Sequence, residues 1–376
     1  MKGPVVAIVQ RVLPHYRIPF FTGLHGRLAA SGISLRLIYG QEYPDAVPRT
    51  VECPEPWCRR IRNRYLRLSG LEIVWQPCLD AVSDADLVIV EQASRLAANV
   101  PIVLGRRKRG RRVAYFGHGK NGNPAAGLLG RLGTRIFLPR VDWWFAYTGL
   151  SSLLVEESGF PPDRITTVNN TIDTESFRAA LHSVPEGELA ALAERLGIRG
   201  KNIVLFCGDM DGAKRIDFLI RACLELRRRI PDFHAIIIGD GPFGYLARSA
   251  AASHPWIHFP GALFGAARAP YFRLAGALLM PGTVGLAIID SFVSTTPIIT
   301  TDIPGHGPEI AYLEPGVNGI MTCDSLSGYV DAVTGFLASE ELRNRLAQGC
   351  HDSARRYTIA SMVERFATGV ERCLSL

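Results

Sequence analysis

The sequence lacks both a long hydrophobic run and a paired cysteine motif. No apolar stretch approaches the ~20 residues that a helix needs to cross a bilayer, and the apolar VVAIVQ near the start is too short for a signal peptide. The eight cysteines form no CxxC pair, which argues against a structural zinc site. Several lie in apolar runs such as IVLFCG, so we expect reduced, buried thiols. We therefore expect a cytoplasmic chain, soluble or peripheral on the inner face of the plasma membrane.

Charged residues are few and unevenly placed along the 376-residue chain. They make up 20% of the sequence against 47% hydrophobic residues, a balance that excludes intrinsic disorder and suffices for two cores of ordinary size. Residues 1–175 hold 23 Lys and Arg against 15 Asp and Glu, whereas the remainder holds 19 against 20. The first half is therefore basic, which predicts that it meets an anionic partner.

Short apolar runs alternate with helix-length amphipathic segments from end to end. This alternation is typical of an α/β fold with parallel, doubly wound sheets and right-handed crossovers. After residue 325 the pattern predicts helices only. The predicted strands are 5–10, 34–40, 85–91, 112–117, 141–147 and 164–168 in the first half, and 202–208, 234–240, 256–259, 276–282 and 297–301 in the second.

A break between the two series of strands predicts two domains. We expect a first Rossmann-like domain over 1–173, a transition over 174–200, a second Rossmann-like domain over 201–355 and a final helix over 356–376. The transition contains NNTID at its approach and the helix-like VPEGELAALAERLGI. The two halves share an architecture but no repeat that can be aligned.

Ligands of open parallel sheets bind beyond the carboxyl ends of the strands, so the loops at those ends are the candidate sites. The turn after strand 234–240 contains Gly239, Asp240, Gly241 and Pro242, where backbone can approach a nucleotide closely. A purely structural turn is an equal alternative. After strand 202–208, Lys214 stands at the entrance of a helix, well placed for a diphosphate. A solvated surface lysine is the alternative there.

The loop after strand 276–282 reads PGTVGLAIIDSF and adds Gly282, Val284, Gly285, Leu286 and Asp290. Its glycines permit unusual backbone angles, and the free N–H groups of a helix starting at Leu286 would bind phosphate oxygens. Asp290 would accept hydrogen bonds from ribose hydroxyls, or would only pair with the helix dipole.

The strand PIITT then leads to His306 and Glu309 at another strand-to-helix turn. Glu309 is a candidate for contact with the ligand, and a first-turn helix carboxylate is its plainer interpretation.

Taken in order, these loops resemble glycosyltransferase family 4. The resemblance rests on K-R-I-D-F-L-I, I-I-I-G-D-G-P, P-G-T-V-G-L-A-I-I-D-S-F, P-I-I-T-T-D-I-P-G-H-G-P-E-I and G-V-N-G-I, and in the first half on PHYRIPFFTGL. It implies the GT-B fold, with two Rossmann-like domains facing across a cleft and a C-terminal helix crossing back to the first. It also implies a retaining, metal-independent enzyme that uses a nucleoside diphosphate sugar as substrate and no cofactor. The P-G-x-V-G-L loop is similar to a variant in bacterial polysaccharide clusters.

The chain departs from the family pattern at two positions. A glutamate pair eight positions apart falls here on Gly282 and Asp290, and an arginine five residues before the lysine falls on Asp209. The resemblance thus leaves Lys214, with Arg215 beside it, to offset the charge of the diphosphate. We expect Lys214, Asp290 and the first-half His118 to be the catalytic set.

The first half supplies the candidates for acceptor binding. The strand RVAYFG leads to His118 between two glycines, and the resemblance makes it the histidine that contacts the donor sugar; satisfying local backbone groups is the alternative. The loop VLPHYR offers His15, Tyr16 and Arg17 to a glycan or lipid-linked acceptor, although Tyr16 also suits a core-capping turn.

Two basic clusters and two acidic motifs remain. The runs 59–67 and 106–112 are either solvated faces or a contact with an anionic membrane; no base-stacking motif accompanies them, so we expect no nucleic acid. The DxD motifs at 84–86 and 209–211 resemble a metal site of another glycosyltransferase fold, and we expect no metal here.

Three alternative functions stay open for the whole chain: a nucleotide-sugar 2-epimerase, a non-catalytic sugar-nucleotide-binding partner, and a phosphorylase, which would need a cofactor lysine that is not identifiable.

Overall fold

The computed structural model describes residues 3–44, 50–68, 71–106, 110–119 and 140–376. The chain divides into two compact units, Met1–Asp173 with Ile359–Leu376, and Thr174–Thr358. The middle of the predicted basic cluster at 106–112 lies outside the described residues. The segment 174–200, predicted as a transition, is mostly helical and counts with the second unit.

The first unit is built on a parallel sheet of seven described strands in the order β3-β2-β1-β6-β7-β8-β9. Apolar residues fill both faces of its central strands, as a sheet covered by helices on both sides requires. Its strands are β1 (Val5–Gln10), β2 (Ser34–Tyr39), β3 (Cys58–Arg60), β6 (Leu87–Glu91), β7 (Arg112–Gly117), β8 (Trp143–Ala146) and β9 (Ile165–Thr167). An antiparallel pair, β4 (Arg64–Leu68) and β5 (Leu71–Trp75), is inserted after β3.

The second unit has six parallel strands in the order β12-β11-β10-β13-β14-β15, which is the Rossmann arrangement 3-2-1-4-5-6. Strands β10, β11, β13 and β14 are buried along their whole length. The strands are β10 (Ile203–Cys207), β11 (His234–Ile238), β12 (Ile257–Gly261), β13 (Ala277–Met280), β14 (Ile298–Thr301) and β15 (Gly319–Thr322).

The helices follow the strands as crossovers. In the first unit the described ones are α1 (Ile18–Ala30), α2 (Asn99–Gly105) and α3 (Gly149–Glu157). In the second unit they are α4 (Thr174–Ser183), α5 (Glu186–Arg195), α6 (Ile216–Arg229), α7 (Gly244–Ser253), α8 (Ala269–Leu274), α9 (Ala287–Val293), α10 (Leu326–Ala338) and α11 (Glu340–Arg356).

The last helix, α12 (Ile359–Leu374), returns to the first unit. Its Phe366 stacks on Phe145 of β8 with ring centroids 4.1 Å apart, and it meets Phe20 and Phe116 edge-on. The helix is therefore part of the first core, although it lies at the far end of the sequence.

The cysteines differ in part from the prediction. Cys53 and Cys58 form a disulfide with their Cα atoms 6.1 Å apart, because the turn before β3 brings them together. The sequence analysis expected reduced thiols and did not foresee this disulfide. Five of the six free cysteines are buried, as expected of thiols that pack as small apolar side chains, and only Cys323 is exposed.

In the part of the chain that the structure describes, no helix is both long enough and apolar enough to cross a membrane.

Candidate functional site

The carboxyl ends of β10 and β13 form the switch point of the second sheet. From β10 the chain continues to strands on one side, and from β13 to strands on the other. The loops 208–215 and 281–286 therefore both start at this point of the sheet edge, the usual ligand position in such folds. Six of the site residues predicted in the second half lie on these two loops: Lys214, Arg215, Gly282, Val284, Gly285 and Leu286.

The loop after β10 is held by one buried side chain and one cap. Met210 is fully buried beneath the loop. The Asp211 carboxylate accepts hydrogen bonds from the backbone N–H groups of Ala213 (3.0 Å) and Lys214 (3.2 Å), which starts a short 3₁₀ turn. Arg215 follows in the left-handed conformation at φ 55° and is the N-cap residue of α6. This geometry fixes the position of the Lys214 backbone.

Lys214 joins the two loops. Its ammonium group donates a hydrogen bond to the carbonyl oxygen of Thr283, and the Thr283 N–H donates to the Ala213 carbonyl at 2.9 Å. Burial lowers the pKa of Lys214, while the negative charges of Asp211, Asp209 and Glu309 raise it in part. Lys214 is thus a half-buried cation held at the sheet edge among three carboxylates.

Gly282 lies in direct contact with this lysine. A Cβ atom on Gly282 would come within 2.3 Å of the Ala213 oxygen and 2.5 Å of the Lys214 Cα, so no side chain fits there. The departure from the family glutamate at this position therefore has a local cause, the close approach of two backbones.

Gly285, by contrast, faces open space. A Cβ atom there would have no neighbour within 4 Å. Among the described residues, no acceptor takes the backbone N–H of Gly285 or Leu286. The 281–286 loop thus presents two unused amide donors at the switch point.

His306 ties this loop to the end of β14. Its Nδ1 accepts from the Val284 N–H at 3.0 Å, and its Nε2 donates to the Thr301 carbonyl at 2.9 Å, since a carbonyl only accepts. The Val284 oxygen accepts from the Gly307 N–H at 2.8 Å. Glu309 is 5% exposed, with its carboxylate beside Gly307. The predicted residues Lys214, Gly282, Val284 and Glu309 therefore meet in one place.

Asp290 has a partner that the sequence analysis missed. Its carboxylate makes a two-pronged ion pair with Arg268, with N–O distances of 2.7 and 3.1 Å. The guanidinium lies 4.8 Å from the centre of the Phe177 ring and 3.9 Å from the sulfur of Cys207, the last residue of β10. No motif surrounds Arg268, so no sequence signal pointed to this pair.

The predicted turn after β11 packs on the same loop. Gly239 and Gly241 have φ angles of 147° and 148°, and a Cβ on either would strike the backbone of Gly208 or Met210. Asp240 and Pro242 are exposed. The turn thus extends the sheet edge next to the Lys214 loop.

The Arg215 side chain forms its ion pair away from the 281–286 loop. Its guanidinium pairs with Asp324 at 2.6 Å and lies 4.4 Å from the centre of the Phe218 ring. Of the two adjacent cations, only Lys214 contacts the 281–286 loop through a hydrogen bond.

The predicted residues of the first unit gather at the carboxyl edge of its own sheet. Arg17 is buried, donates to the Asn170 Oδ1 at 2.6 Å, and has three aromatic rings within 5.7 Å. One of these rings, Tyr147, lies 4.5 Å from the ring of His118, which is exposed. His15 meets the Tyr16 ring edge-on at 5.8 Å. The structure therefore brings the predicted residues His15, Tyr16 and His118 together around Arg17 and Tyr147.

Comparison with known proteins gives this architecture a class. Residues 201–339 match the family described as Glycosyl transferases group 1. Over its whole length the fold is that of solved structures such as Anabaena Alr3699/HepE in complex with UDP, with TM-score 0.72, 14% identity, 98% of this chain and 100% of that chain covered. The same protein in complex with UDP-glucose aligns with TM-score 0.70 and 13% identity over 99% of this chain and 100% of that one. The two parallel sheets and the C-terminal helix thus resemble GT-B structures.

Two curated relatives are glycosyltransferases by name. The chain is 27% identical over 203 residues to the alpha-D-kanosaminyltransferase of Streptomyces kanamyceticus, covering 51% of this chain and 50% of that protein. It is 27% identical over 205 residues to the D-inositol 3-phosphate glycosyltransferase of Frankia alni, covering 50% and 48%. The chain spans about half the length of the relatives it matches. These findings support the class of glycosyltransferase.

Proposed function

We propose that the protein is a retaining, metal-independent glycosyltransferase of family 4. It would move a sugar from a nucleoside diphosphate sugar to a glycan or lipid-linked acceptor in the synthesis of surface polysaccharide. The observation that carries this proposal is the half-buried Lys214 docked on a glycine loop at the switch point. The group 1 match over residues 201–339 supports it, as do the folds of relatives solved with UDP and UDP-glucose.

The second unit would hold the donor. Lys214 and the unused amides of Gly285 and Leu286 offer positive charge to the diphosphate, and they stabilise the charge that develops as it leaves. Arg268 orients the Asp290 carboxylate, and the carboxylate lone pairs that this ion pair does not use would accept hydrogen bonds from ribose hydroxyls. The turn from Gly239 to Pro242 lines the nucleotide pocket. The first unit would supply His118 for the donor sugar and, separately, the acceptor site around His15, Tyr16 and Arg17.

Replacing Lys214 tests the proposal. Lys214→Ala removes the cation nearest to the proposed diphosphate, and we expect turnover to fall about 100-fold, in the range seen when one stabilising group is removed from a charged transition state. The measurement is release of UDP or GDP from a panel of nucleotide sugars with candidate acceptors. Lys214→Arg keeps the charge but not the fit to the Thr283 carbonyl, so we expect a smaller loss.

Lys201→Ala is the matched control, because Lys201 is exposed and stands at the amino end of β10. Normal turnover in Lys214→Ala, with an intact fold, would contradict the assigned role. Incubation with the donor alone separates the alternatives: an epimer of the donor would indicate a 2-epimerase, and binding without any turnover a non-catalytic partner.

We also propose that the basic face of the first unit contacts an anionic membrane. Arg59, Arg62 and Arg64 are exposed and make no ion pair with described residues, and Leu66 beside them is 52% exposed. Each such arginine adds about 1 kcal/mol near anionic lipid. Sedimentation with phosphatidylserine vesicles should exceed that with phosphatidylcholine vesicles, and changing the three arginines to Gln should abolish the difference. Equal sedimentation would refute the contact.

A further inference from the structure

The sheet of the first unit has a switch point of its own, between β1 and β6. The chain passes from β1 to β2 on one side and from β6 to β7 on the other, while β1 and β6 are parallel neighbours. Arg11 directly follows β1, and Glu91 ends β6, so both lie at the carboxyl edge. Both are half-buried. In open parallel sheets this is the position at which a ligand binds.

The backbone around these two residues is fixed. The Glu91 Oε1 accepts from the Arg11 N–H at 2.7 Å, and the Asn63 side chain donates to the Arg11 carbonyl at 2.8 Å. The Asn99 side chain donates to the Glu91 carbonyl at 2.9 Å. The edge is thus preorganised, as a binding site needs to be.

The Arg11 guanidinium and one oxygen of the Glu91 carboxylate have unused hydrogen-bonding capacity. Within the described part of the chain, the Glu91 Oε2 accepts no hydrogen bond, and the Arg11 guanidinium has no hydrogen bond, ion pair or ring contact. Neighbouring arginines are engaged, Arg17 by Asn170 and Arg95 by Glu72. Burial raises the pKa of Glu91, and the charges of Arg11, Arg95 and Arg17 oppose that rise. The Arg11 guanidinium and the Glu91 Oε2 therefore keep hydrogen-bonding capacity that a ligand at this edge can use.

We propose that Arg11 and Glu91 form an acceptor subsite for a sugar that carries a phosphate. The guanidinium offers paired N–H donors to phosphate oxygens, and the carboxylate accepts from neighbouring hydroxyls of the ring. This inference rests on the proposed function, because it names the class of acceptor. It adds a residue pair that no motif in the sequence indicated.

Calorimetry on the full chain, with UDP present, tests the subsite. The probes are glucose 6-phosphate, polyprenyl-diphosphate-linked N-acetylglucosamine, glucose and inorganic phosphate. We expect the two phosphate-bearing sugars, or one of them, to bind, and Arg11→Gln to weaken that binding about tenfold, the effect of losing a charge-assisted hydrogen bond. Arg11→Lys should lose less of this affinity than Arg11→Gln. Glu91→Gln should weaken the phosphate-bearing sugars and leave inorganic phosphate unchanged.

Arg36→Gln is the control, since Arg36 pairs with Asp84 at the opposite edge of the same sheet. Binding of the lipid-linked probe alone would identify a lipid-linked acceptor, and binding of glucose 6-phosphate a free one. The proposal is overturned when neither phosphate-bearing sugar binds the unaltered protein, when the Arg11 and Glu91 variants bind as it does, or when inorganic phosphate binds as tightly as the sugars. Failure of UDP itself to bind would count against the proposed function separately.

Discussion

At the scale of single residues, the sequence indicated the positions that matter but not what they touch. Lys214, Gly282 and Val284 could be selected because each follows a buried strand, and the structure joins them through backbone contacts. The pairing of Asp290 with Arg268 could not be selected, because the two lie 22 residues apart on a loop and a helix. Contacts of that kind depend on how crossovers pack, and no local pattern encodes them.

Gly282 gives a prediction with a control in the same loop. Gly282→Ala places a methyl group against the Ala213 carbonyl and the Lys214 backbone, so we expect the free energy of unfolding to fall by about 1–3 kcal/mol. Affinity for UDP should fall with it, because the clash displaces Lys214. Chemical denaturation and UDP titration measure the two effects.

Gly285→Ala is the matched variant, because its methyl group meets open space and its backbone is not in the left-handed region. We expect its stability to stay within about 0.5 kcal/mol of the parent. Equal destabilisation by the two substitutions would show that the close approach at Gly282 has no special role.

At the scale of elements, the apolar strands of the two sheet centres could be predicted, and the strands that were missed lie at a sheet edge or in the inserted antiparallel pair. The eleven predicted strands all correspond to strands of the two sheets, with ends that differ by a few residues. The prediction missed β5 and the four-residue β15, and it treated β3 and β4 only as a basic cluster. Edge strands with arginines lack the continuous apolar run that marks a buried strand.

The neighbouring strands β11 and β12 carry a buried histidine pair that predicts a pH dependence. His234 Nδ1 and His258 Nε2 lie 3.1 Å apart with nearly parallel rings. Burial lowers the pKa of His258 to about 4, with a contribution from His234. Burial and Arg227 also lower the pKa of His234, and Asp232 opposes them.

Because the folded protein disfavours the charged imidazoles, the unfolded chain binds more protons in mild acid. Stability from this pair is complete above 6.5, the ordinary pKa of a histidine side chain, and is lost as the pH falls from there towards about 4. We expect a loss of about 2 kcal/mol at pH 4.5. Unfolding measured from pH 7.5 to 4.5 should be flatter for His258→Gln. His182→Gln, at an exposed position on α4, should leave the slope unchanged, and an unchanged slope in His258→Gln would contradict the assignment.

At the scale of the whole molecule, the sequence predicted two similar sheets and a boundary, and the contacts divide the chain between Asp173 and Thr174. Alternating strands and helices make right-handed crossovers nearly obligatory, whereas the order of the strands in each sheet is seen only in the structure. The role of the last helix came only from the family resemblance. Its apolar stripe shows that it must bury one face, but not which sheet receives it.

That helix gives a prediction for the whole chain. Met362, Phe366, Val370 and Cys373 of α12 are fully buried in the core of the first unit. Ending the chain at Thr358 uncovers that core, so we expect the first unit to lose its fold while residues 174–358 keep theirs. Hydrogen exchange should then show protection confined to β10–β15 and the helices that follow them.

A smaller change separates packing from chain length. Phe366→Ala should reduce the stability of the first unit by about 3–5 kcal/mol through the cavity it leaves against Phe145 and Phe20. Removing only Ser375 and Leu376, which are exposed beyond the helix end, should cost nothing measurable. Protection of β1 and β6–β9 that survives loss of α12 would mean that the first sheet folds without it. In that case the helix would be a surface attachment and not a core element.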